Sequence, residues 1–520
     1  MAFNKPRKRR KNSQKAEDKE DFSIKLNTNL DDNIENIKKL LDDPNDLVTR
    51  TFSIGHTKYT CAVAYIDGLT NTTLINQMII RNVQAEVESP ETKVSEAGAP
   101  LLDRLYNEWL SVGGVKKAYS LDDVSLAILS GNTVILVGGT DQVIIIDTQG
   151  GPERAVEEPT TERLIRGPKV GFTENIRTNT VFIRKRIRDA NLRFQSYKIG
   201  RRSKKTLIVT YIDGIVHPNL ISEVNKRLKT IDLDDAAESG FIEQWIEDSF
   251  LTPFPQLEHT ERPDKVAQAL TDGKVAILLE GTPFALIAPI TFSNMLHSPE
   301  DYYERWLFST LIRFLRYLAA FIAVFLPALY IALLSYHPGL IPYKLAFFIA
   351  ASREGVPFTA AVEAFMMEIT MELLREAGFR VPQPIGQTIG IVGGIVIGQA
   401  AVAAGIVSPI MVIIVAITAI SSFSLPAYGL AISFRILRFG FMLAAAIFGL
   451  YGIILAYIVV NIHIVNLKSF GVPYSTPFAP SFKGGWKDIV IRAPLTTLGK
   501  RPGYMKPKDK KRMNKGGNTS

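Results

Sequence analysis

The sequence predicts a two-part protein, an α+β region followed by a polytopic α-helical membrane domain. Two observations lead to this prediction. No Asp, Glu, Lys or Arg occurs in 317–343, 381–434 or 439–467, which is typical of segments that lie in a bilayer. The preceding region contains one pattern of strands and helices twice. An apolar fraction of 47% with 21% charged residues excludes a largely disordered or collagen-like chain.

Residues 1–27 are predicted to form a basic, flexible tail. The first 20 residues carry 8 basic and 3 acidic side chains, and no apolar run follows them, so they are not a secretory signal. Arg305, Arg313 and Arg316 precede the first uncharged segment. Because basic residues stay on the cytosolic side of a first span, the N-terminal region is predicted to be cytosolic.

Residues 28–150 and 189–300 are predicted to be two copies of one α/β subdomain. The first copy contains TCAVAYIDG at 60–68, and the second contains TLIVTYIDG at 206–214, each with a helical pattern after it. GNTVILVGGTDQVIII at 131–146 similarly matches GKVAILLEGTPFALIA at 273–288, and both predict a strand hairpin. The two features recur in the same order at nearly the same distance, which indicates an internal duplication. The glycines suit hairpin turns better than a phosphate loop, since neither phosphate-binding glycine motif is present.

Residues 151–188 connect the two copies and are dense in charges of both signs. One interpretation is a solvated linker. The other is an interface strap whose charged residues pair across subdomains or subunits, with Glu158, Arg166 and Glu174 as candidates. The sequence leaves both interpretations open.

Residues 301–467 are predicted to form the membrane domain, with spans near 317–335, 386–407, 409–426 and 439–465. Gly386, Gly390, Gly394 and Gly398 are spaced four apart and lie on one helix face. Glycines on one face let a second helix approach closely, so these four predict a helix-packing surface. The final 468–520 form a basic C-terminal tail with 12 basic and 2 acidic residues.

A helix near 357–379 carries Glu363, Glu368, Glu372 and Glu376, the last three on one face. Three interpretations are open. The helix lies on the membrane surface as an amphipathic helix, it spans or re-enters the membrane with its acids facing water, or it belongs to a loop in the cytosol. In an oligomeric pore each of the four acids would form a ring that favours cations. With four spans the C-terminal tail is cytosolic, but Arg435 and Arg438 lie on the outer side. With a fifth span at 357–379 the two arginines are cytosolic, but the tail lies on the outer side. Four spans with a re-entrant element is the preferred topology.

No catalytic chemistry is predicted, and the chain is not expected to be an enzyme. The six His lack metal-ligand spacing, Cys61 is the only cysteine, and no nucleophile motif occurs, so neither a cofactor nor a metal site is expected. The basic stretch 184–205 fits an anionic lipid or an acidic protein surface better than nucleic acid.

Several motifs in the connecting segment resemble the signature of the GerA family of spore germinant receptor A subunits. They are Glu157-Glu158-Pro159, Ile165-Arg166-Gly167-Pro168, Gly171-Phe172-Thr173-Glu174, Asn179 and Ile183-Arg184-Lys185-Arg186. The resemblance extends over the chain except for residues 1–27 and the end of the tail. At one position this sequence has Lys169-Val170 where many relatives have charged residues.

The resemblance implies a nutrient-sensing protein of the spore inner membrane that triggers germination. It implies a permease-like B subunit and a lipoprotein C subunit as partners, and a homo-oligomer of the A subunit that conducts cations. Two alternatives stay open: a stage V sporulation AF-type relative, and a membrane scaffold or transporter subunit without a pore.

Overall fold

The structure is a computed structural model that describes residues 25–54, 59–85, 99–110, 112–150, 158–380, 397–482 and 485–513. The predicted N-terminal tail up to residue 24 lies outside the described residues, as do Gly386, Gly390 and Gly394 of the predicted packing face. The chain divides into two compact units, Met1–Gly150 and Gly151–Ser520, and each is described by itself.

The first unit is built on a five-stranded antiparallel sheet with strand order β1-β2-β4-β5-β3. Its strands are β1 (Leu47–Ser53), β2 (Thr60–Ile66), β3 (Val115–Ala118), β4 (Thr133–Val137) and β5 (Val143–Ile146). Its helices are α1 (Leu30–Leu41), α2 (Thr72–Leu74), α3 (Arg81–Ala85), α4 (Ala99–Arg104) and α5 (Leu121–Leu129), with π-helical turns at Ile75–Ile80 and Leu105–Trp109. All five residues of β4 are buried, which accounts for the apolar run at 134–137.

Local sequence signals account for the ends of these elements. Ser120 caps α5, because its hydroxyl oxygen accepts a hydrogen bond from the backbone N–H of Asp123 at 3.1 Å. Asn29 caps α1 in the same manner. The β4–β5 hairpin turns at Gly139, whose φ of 87° lies in the left-handed region that glycine adopts without strain.

The second unit contains a sheet of the same design, with strand order β6-β7-β9-β10-β8. Its strands are β6 (Leu192–Ile199), β7 (Lys205–Ile212), β8 (Glu258–Thr260), β9 (Val275–Leu279) and β10 (Ala285–Ala288). Its helices are α6 (Ile176–Arg186), α7 (Pro218–Leu228), α8 (Ser239–Ile246), α9 (Pro263–Thr271) and α10 (Glu300–Tyr303).

The two sheets reproduce the sequence duplication strand by strand. β2 and β7 contain the two YIDG-type strands, and each pairs with its hairpin strand, β4 or β9, in antiparallel register. The hairpins β4–β5 and β9–β10 both turn at a glycine of positive φ, Gly139 and Gly281. The duplicated segments therefore form the same part of each sheet.

The connecting segment expected at 151–188 is, from residue 158 onward, part of the second subdomain. Its helix α6 packs on the sheet through the fully buried Ile183, which joins a core cluster with Phe194 and Leu278. The guanidinium of Arg262, itself 1% exposed, donates to the backbone oxygens of Glu162 and Pro168 at 3.1 and 2.7 Å. The predicted boundary at 188–189 therefore lies inside a folded subdomain.

The remaining helices form an apolar bundle in the same unit. They are α11 (Trp306–Tyr336), α12 (Tyr343–Ser352), α13 (Ala360–Arg380), α14 (Pro409–Phe423) and α15 (Tyr428–Asn466). Among the described residues, α11 and α15 are long and apolar enough to cross a membrane, with mean hydropathy of 2.4 and 2.5. α12 and α14 are apolar but shorter.

α15 is a helical hairpin. Gly449 interrupts it with a φ of 60° and a ψ of −139°, outside the helical region. At one end, Ser433 donates to the backbone oxygen of Pro253 at 2.5 Å. His463 lies 2.8 Å from the hydroxyl of the adjacent Thr252. A straight helix would separate Ser433 and His463 by about 45 Å, so the limbs 428–448 and 450–466 run antiparallel.

This hairpin differs from the predicted single span at 439–465. Arg435 and Arg438, expected in a loop between spans, lie within the first limb of α15. The first span is also longer than expected, because α11 begins at Trp306 and continues through Pro327 to Tyr336.

The C-terminal residues predicted as a tail pack on the second subdomain over the described part of 468–513. Phe470 and Met505 are 6% and 4% exposed and join its core. The backbone N–H groups of Lys508 and Asp509 donate to the oxygens of Ile215 and Gly214, at 2.9 and 3.1 Å. A two-stranded ribbon, β11 (Lys468–Ser469) and β12 (Val472–Pro473), follows α15 directly.

Candidate functional site in the helical bundle

The acidic residues of α13 face three different environments. Glu363 is fully buried, and its Oε1 accepts hydrogen bonds from the backbone N–H and the hydroxyl of Ser408 at 2.6 and 2.5 Å. Arg353 approaches its second oxygen at 3.4 Å. Ser408 is also the N-cap of α14, so Glu363 ties the start of α13 to the start of α14.

Glu368 forms a buried ion pair with Arg438 of the first limb of α15. Both side chains are 3% exposed, and Nη1 of Arg438 donates to Oε2 of Glu368. A single buried charge is costly in an apolar bundle, and the opposite charge offsets that cost only when the two groups stay together. The pair therefore fixes α13 against α15.

Glu372, one helical turn further on, connects two arginines. Its Oε1 accepts from Arg435 at 2.6 Å and its Oε2 from Arg375 at 2.9 Å. Its side chain is 42% exposed, whereas those arginines are 12% and 10% exposed. Glu376, the last acid on the predicted face, is exposed. The acidic face thus runs from the protein interior to an accessible end.

Part of the hydrogen-bonding capacity of this cluster is unfilled by the described residues. Within them, Oε1 of Glu368, Nε and Nη2 of Arg438 and Nε of Arg375 are buried without a hydrogen-bond partner. Buried groups of this kind need water or a further polar group. The cluster can therefore take up water or a polar group at the end of α13.

The sequence identified the acids but not their arginine partners. Arg435 and Arg438 are three residues apart, a spacing that lies on one helix face. That spacing was the available signal. It was missed because uncharged segments on both sides suggested a loop between two spans.

A second charged cluster joins α11 to the end of the second subdomain. Asp301 accepts from Nε of Arg313 at 2.8 Å and from Nη1 of Arg316 at 3.0 Å. Asp488 of the C-terminal segment accepts from Arg313 at 2.7 Å. Burial alone would raise the pKa of Asp301, but Arg316 and Arg313 outweigh burial and lower it. Burial, followed by the charge of Arg313, lowers the pKa of the nearby His297 to about 4, so this imidazole is neutral near pH 7.

The remaining predicted site residues lie apart from these clusters. Arg166 faces Glu304 at 3.7 Å, Glu158 faces Lys169 at 4.0 Å, and Glu174 is exposed. Gly398, the described member of the glycine series, faces α14, where an added Cβ would lie 3.3 Å from Cγ1 of Val412. Among the described residues, no three His, Cys, Asp or Glu side chains converge in a way that could hold a metal ion.

Together these features define a class of protein in which two similar α/β subdomains precede a strongly apolar helical bundle with internal ion pairs. The chain belongs to the GerA family: residues 35–504 match the family described as Bacillus/Clostridium GerA spore germination protein. The family resemblance of the signature motifs is thereby confirmed.

Relatives match nearly the whole chain. It is 50% identical over 486 residues to spore germination protein GerLA of Bacillus cereus, covering 94% of this chain and 97% of that protein. It is 43% identical to spore germination protein KA of Bacillus subtilis (strain 168), covering 95% and 89%. An uncharacterized membrane protein of the same strain, YfkQ, is 44% identical and is covered to 93%.

A solved structure matches part of the chain. It is the N-terminal domain of the A subunit of the Bacillus megaterium spore germinant receptor GerK3, at 33% identity. The match covers 52% of this chain and 98% of the solved one, with a TM-score of 0.42.

Proposed function

We propose that this chain is the A subunit of a nutrient-sensing germinant receptor of the spore inner membrane. The observation that carries the proposal is 50% identity to a spore germination protein across 94% of the chain. In this role the α/β subdomains are cytosolic, and the helical bundle lies in the bilayer. No catalytic chemistry is required of the chain.

The contacts of the bundle support a polytopic arrangement with an even number of crossings. α11 starts beside Asp301 and α15 ends beside Thr252, and both of these residues belong to the second subdomain region. The tail that follows α15 also packs on that subdomain. In this arrangement the described helices α11, α13, α14 and the two limbs of α15 would each cross the bilayer, and the span predicted near 386–407 lies mostly outside the described residues.

We further propose that copies of the chain assemble around a cation path. Among the four candidate acids, Glu372 and Glu376 retain exposure at the end of α13 and are the ones that would face water. Glu363 and Glu368 instead hold α13 against α14 and α15. The glycine series 386–398 would supply the close packing between helices.

The receptor would also contain a permease-like B subunit and a lipoprotein C subunit. The candidate interface residues Glu158, Arg166 and Glu174 fit such contacts in one respect. Arg166 is 66% exposed, and the 3.7 Å between Arg166 and Glu304 makes their pairing weak, so a partner charge would compete with it easily.

A non-conducting membrane scaffold is the second candidate function, which a stage V sporulation AF-type relative could also fulfil. It is favoured by one observation: Glu363 and Glu368 are buried and paired inside a single chain. An acid that is both buried and paired inside the chain cannot serve as a freely hydrated pore group.

The test is nutrient-triggered cation release from liposomes containing this chain with its B and C subunits. Amino acids, sugars and nucleosides would be screened first with the wild-type complex. Glu372→Gln and Glu376→Gln are then expected to change cation selectivity, because each removes a ring of charge. If the cation selectivity of release is the same in both variants as in the wild type, these acids do not line the cation path. Complexes that assemble but release no cations would favour the scaffold.

A further inference from the structure

An apolar surface is exposed on the second subdomain next to the helical bundle. It consists of Phe241 and Trp245 on α8 and Phe250 and Leu251 in the loop that follows. Their exposed fractions are 49%, 42%, 86% and 81%. Phe241 and Trp245 are one helical turn apart and lie on the same face. Large apolar side chains exposed on one short segment of the chain mark an interaction surface.

This apolar surface lies next to the ends of both limbs of α15. The residues that directly follow Leu251 are Thr252 and Pro253, which contact His463 of one limb and Ser433 of the other. Because one residue spans at most about 3.6 Å, the backbones of Leu251 and Phe250 lie within about 7 and 11 Å of Pro253, which contacts the hairpin. The loop that carries Phe250 and Leu251 therefore lies at the end of the bundle where the α15 hairpin meets the second subdomain.

Two polar groups within this stretch are already satisfied by the protein. The indole N–H of Trp245 donates to the hydroxyl of Thr230 at 3.2 Å. The carboxylate of Asp248 accepts from Arg227 and from the backbone N–H of Phe470, each at 2.7 Å. The ring of Trp245 and the side chains of Phe250 and Leu251 can thus enter an apolar environment while the loop keeps its hydrogen bonds.

We propose that this apolar surface inserts into the headgroup–acyl boundary of the lipid leaflet on the side of the α/β subdomains. Aromatic side chains are enriched at this boundary, and apolar groups flanked by satisfied polar ones are stable there. The second subdomain then rests on the bilayer through the loop as well as through α11. The inference depends on the membrane placement of the bundle proposed above.

The test uses the full chain in vesicles of phosphatidylcholine and phosphatidylglycerol. Cys61 is fully buried and burial raises the pKa of its thiol to about 12, so an introduced cysteine is labelled selectively. Leu251→Cys and, separately, Phe250→Cys would carry an environment-sensitive fluorophore. Lipids with a spin label on the acyl chain would serve as the contact quencher.

Two reference positions make the result specific. Phe321→Cys, 53% exposed in α11, reports acyl-chain contact if the bundle is in the bilayer. Ile165→Cys, 96% exposed beside Glu300 ahead of α11, reports water. We expect labels at 250 and 251 to shift to shorter wavelength and to be quenched at least half as strongly as the label at 321, while the label at 165 is not quenched.

Other outcomes overturn the inference in distinguishable ways. Quenching at 321 but not at 250 or 251 leaves the bundle in the membrane and removes the lipid contact. A wavelength shift at 251 without quenching means that a protein surface covers the loop. Absence of quenching at 321 as well overturns both the inference and the membrane placement on which it depends.

Discussion

Arg438 on α15 and Glu368 on α13 form an ion pair whose side chains are each 3% exposed. The residues are 70 positions apart in the sequence, so the pair exists only because two helices of the bundle lie side by side. Replacing both members of such a pair by apolar groups changes the free energy of unfolding little. Replacing one member leaves a buried charge unpaired and is strongly destabilising. Its role is therefore to specify the arrangement of α13 and α15.

The first prediction concerns this pair. Arg438→Met leaves Glu368 buried without its partner, and we expect it to destabilise the chain by about 3–5 kcal/mol. The double variant Glu368→Met/Arg438→Met is expected to recover most of the loss, because no charge remains. Thermal unfolding of the purified chain in detergent measures the stability of the single and the double variant. Strictly additive effects of the two single substitutions would contradict a coupled pair.

The hairpin turn gives the second prediction. Gly449 has a backbone conformation that side chains rarely adopt, and an added Cβ would lie 2.9 Å from Cβ of Tyr336. Gly449→Ala is expected to cost about 1–3 kcal/mol or more in the free energy of unfolding. Gly440→Ala is the matched control, since nothing lies within 4 Å of its added Cβ. It should be neutral or stabilising by up to about 1 kcal/mol. Equal melting temperatures for the two variants would contradict a turn at Gly449.

The parts of the fold that depend on local sequence could be predicted. β4 and β9 are fully buried strands, and β2 and β7 are largely buried, with short apolar runs in similar sequences, so their duplication was visible in the sequence. The hairpin of α15 was not visible, because hydropathy is the same for one long span and for two limbs. The backbone conformation of Gly449 distinguishes them, together with the contacts of Ser433 and His463 with the adjacent Pro253 and Thr252.

The partners of the acidic face could not be predicted for a related reason. Spacing placed Glu368 and Glu372 on one face of a helix whose position relative to the membrane stayed open, but the sequence does not contain the contact that brings Arg438 and Arg435 to them. The C-terminal segment was similarly misjudged as a tail. Its basic composition gave no sign of packing, because apolar residues such as Phe470 and Met505 are far apart in sequence and meet only in the folded core.

The third prediction tests that docking of the C-terminal segment. Met505 is 4% exposed in the core of the second subdomain, and Met505→Ala is expected to destabilise it by about 2–4 kcal/mol through the cavity it leaves. Met513, 44% exposed in the same segment, supplies the matched control. Met513→Ala should stay within about 0.5 kcal/mol of the wild type. Proteolysis of the C-terminal segment should accelerate only in the first variant, and equal rates in both would argue against a docked segment.

The last prediction concerns the pH dependence of stability. Burial, with the charges of Glu247 and Glu238 adding to it, raises the pKa of Glu243 to about 7. In the unfolded chain this carboxyl releases its proton near pH 4.5, so between about pH 4.5 and 7 the folded state binds more protons. Stability must therefore fall as the pH rises through this window, and the loss is complete above about pH 7. Glu243→Gln removes the ionisable group. At pH 8 we expect this variant to have a higher melting temperature and a free energy of unfolding larger by on the order of 2 kcal/mol. At pH 4.5 its melting temperature should be nearly that of the wild type.

Glu238, the N-cap residue of α8, makes the sign of this effect testable. Burial would raise its pKa, but hydrogen bonds from Ser239, Gly240 and Thr282 outweigh burial and lower it. Its contribution to stability is present above pH 4.5 and is lost as the pH falls through its folded pKa. Glu238→Gln should therefore lower the melting temperature at pH 8, the opposite of Glu243→Gln. If both substitutions shift the melting temperature in the same direction at pH 8, the buried state assigned to the Glu243 carboxyl is wrong, because a solvated carboxyl at that position would gain nothing from losing its charge.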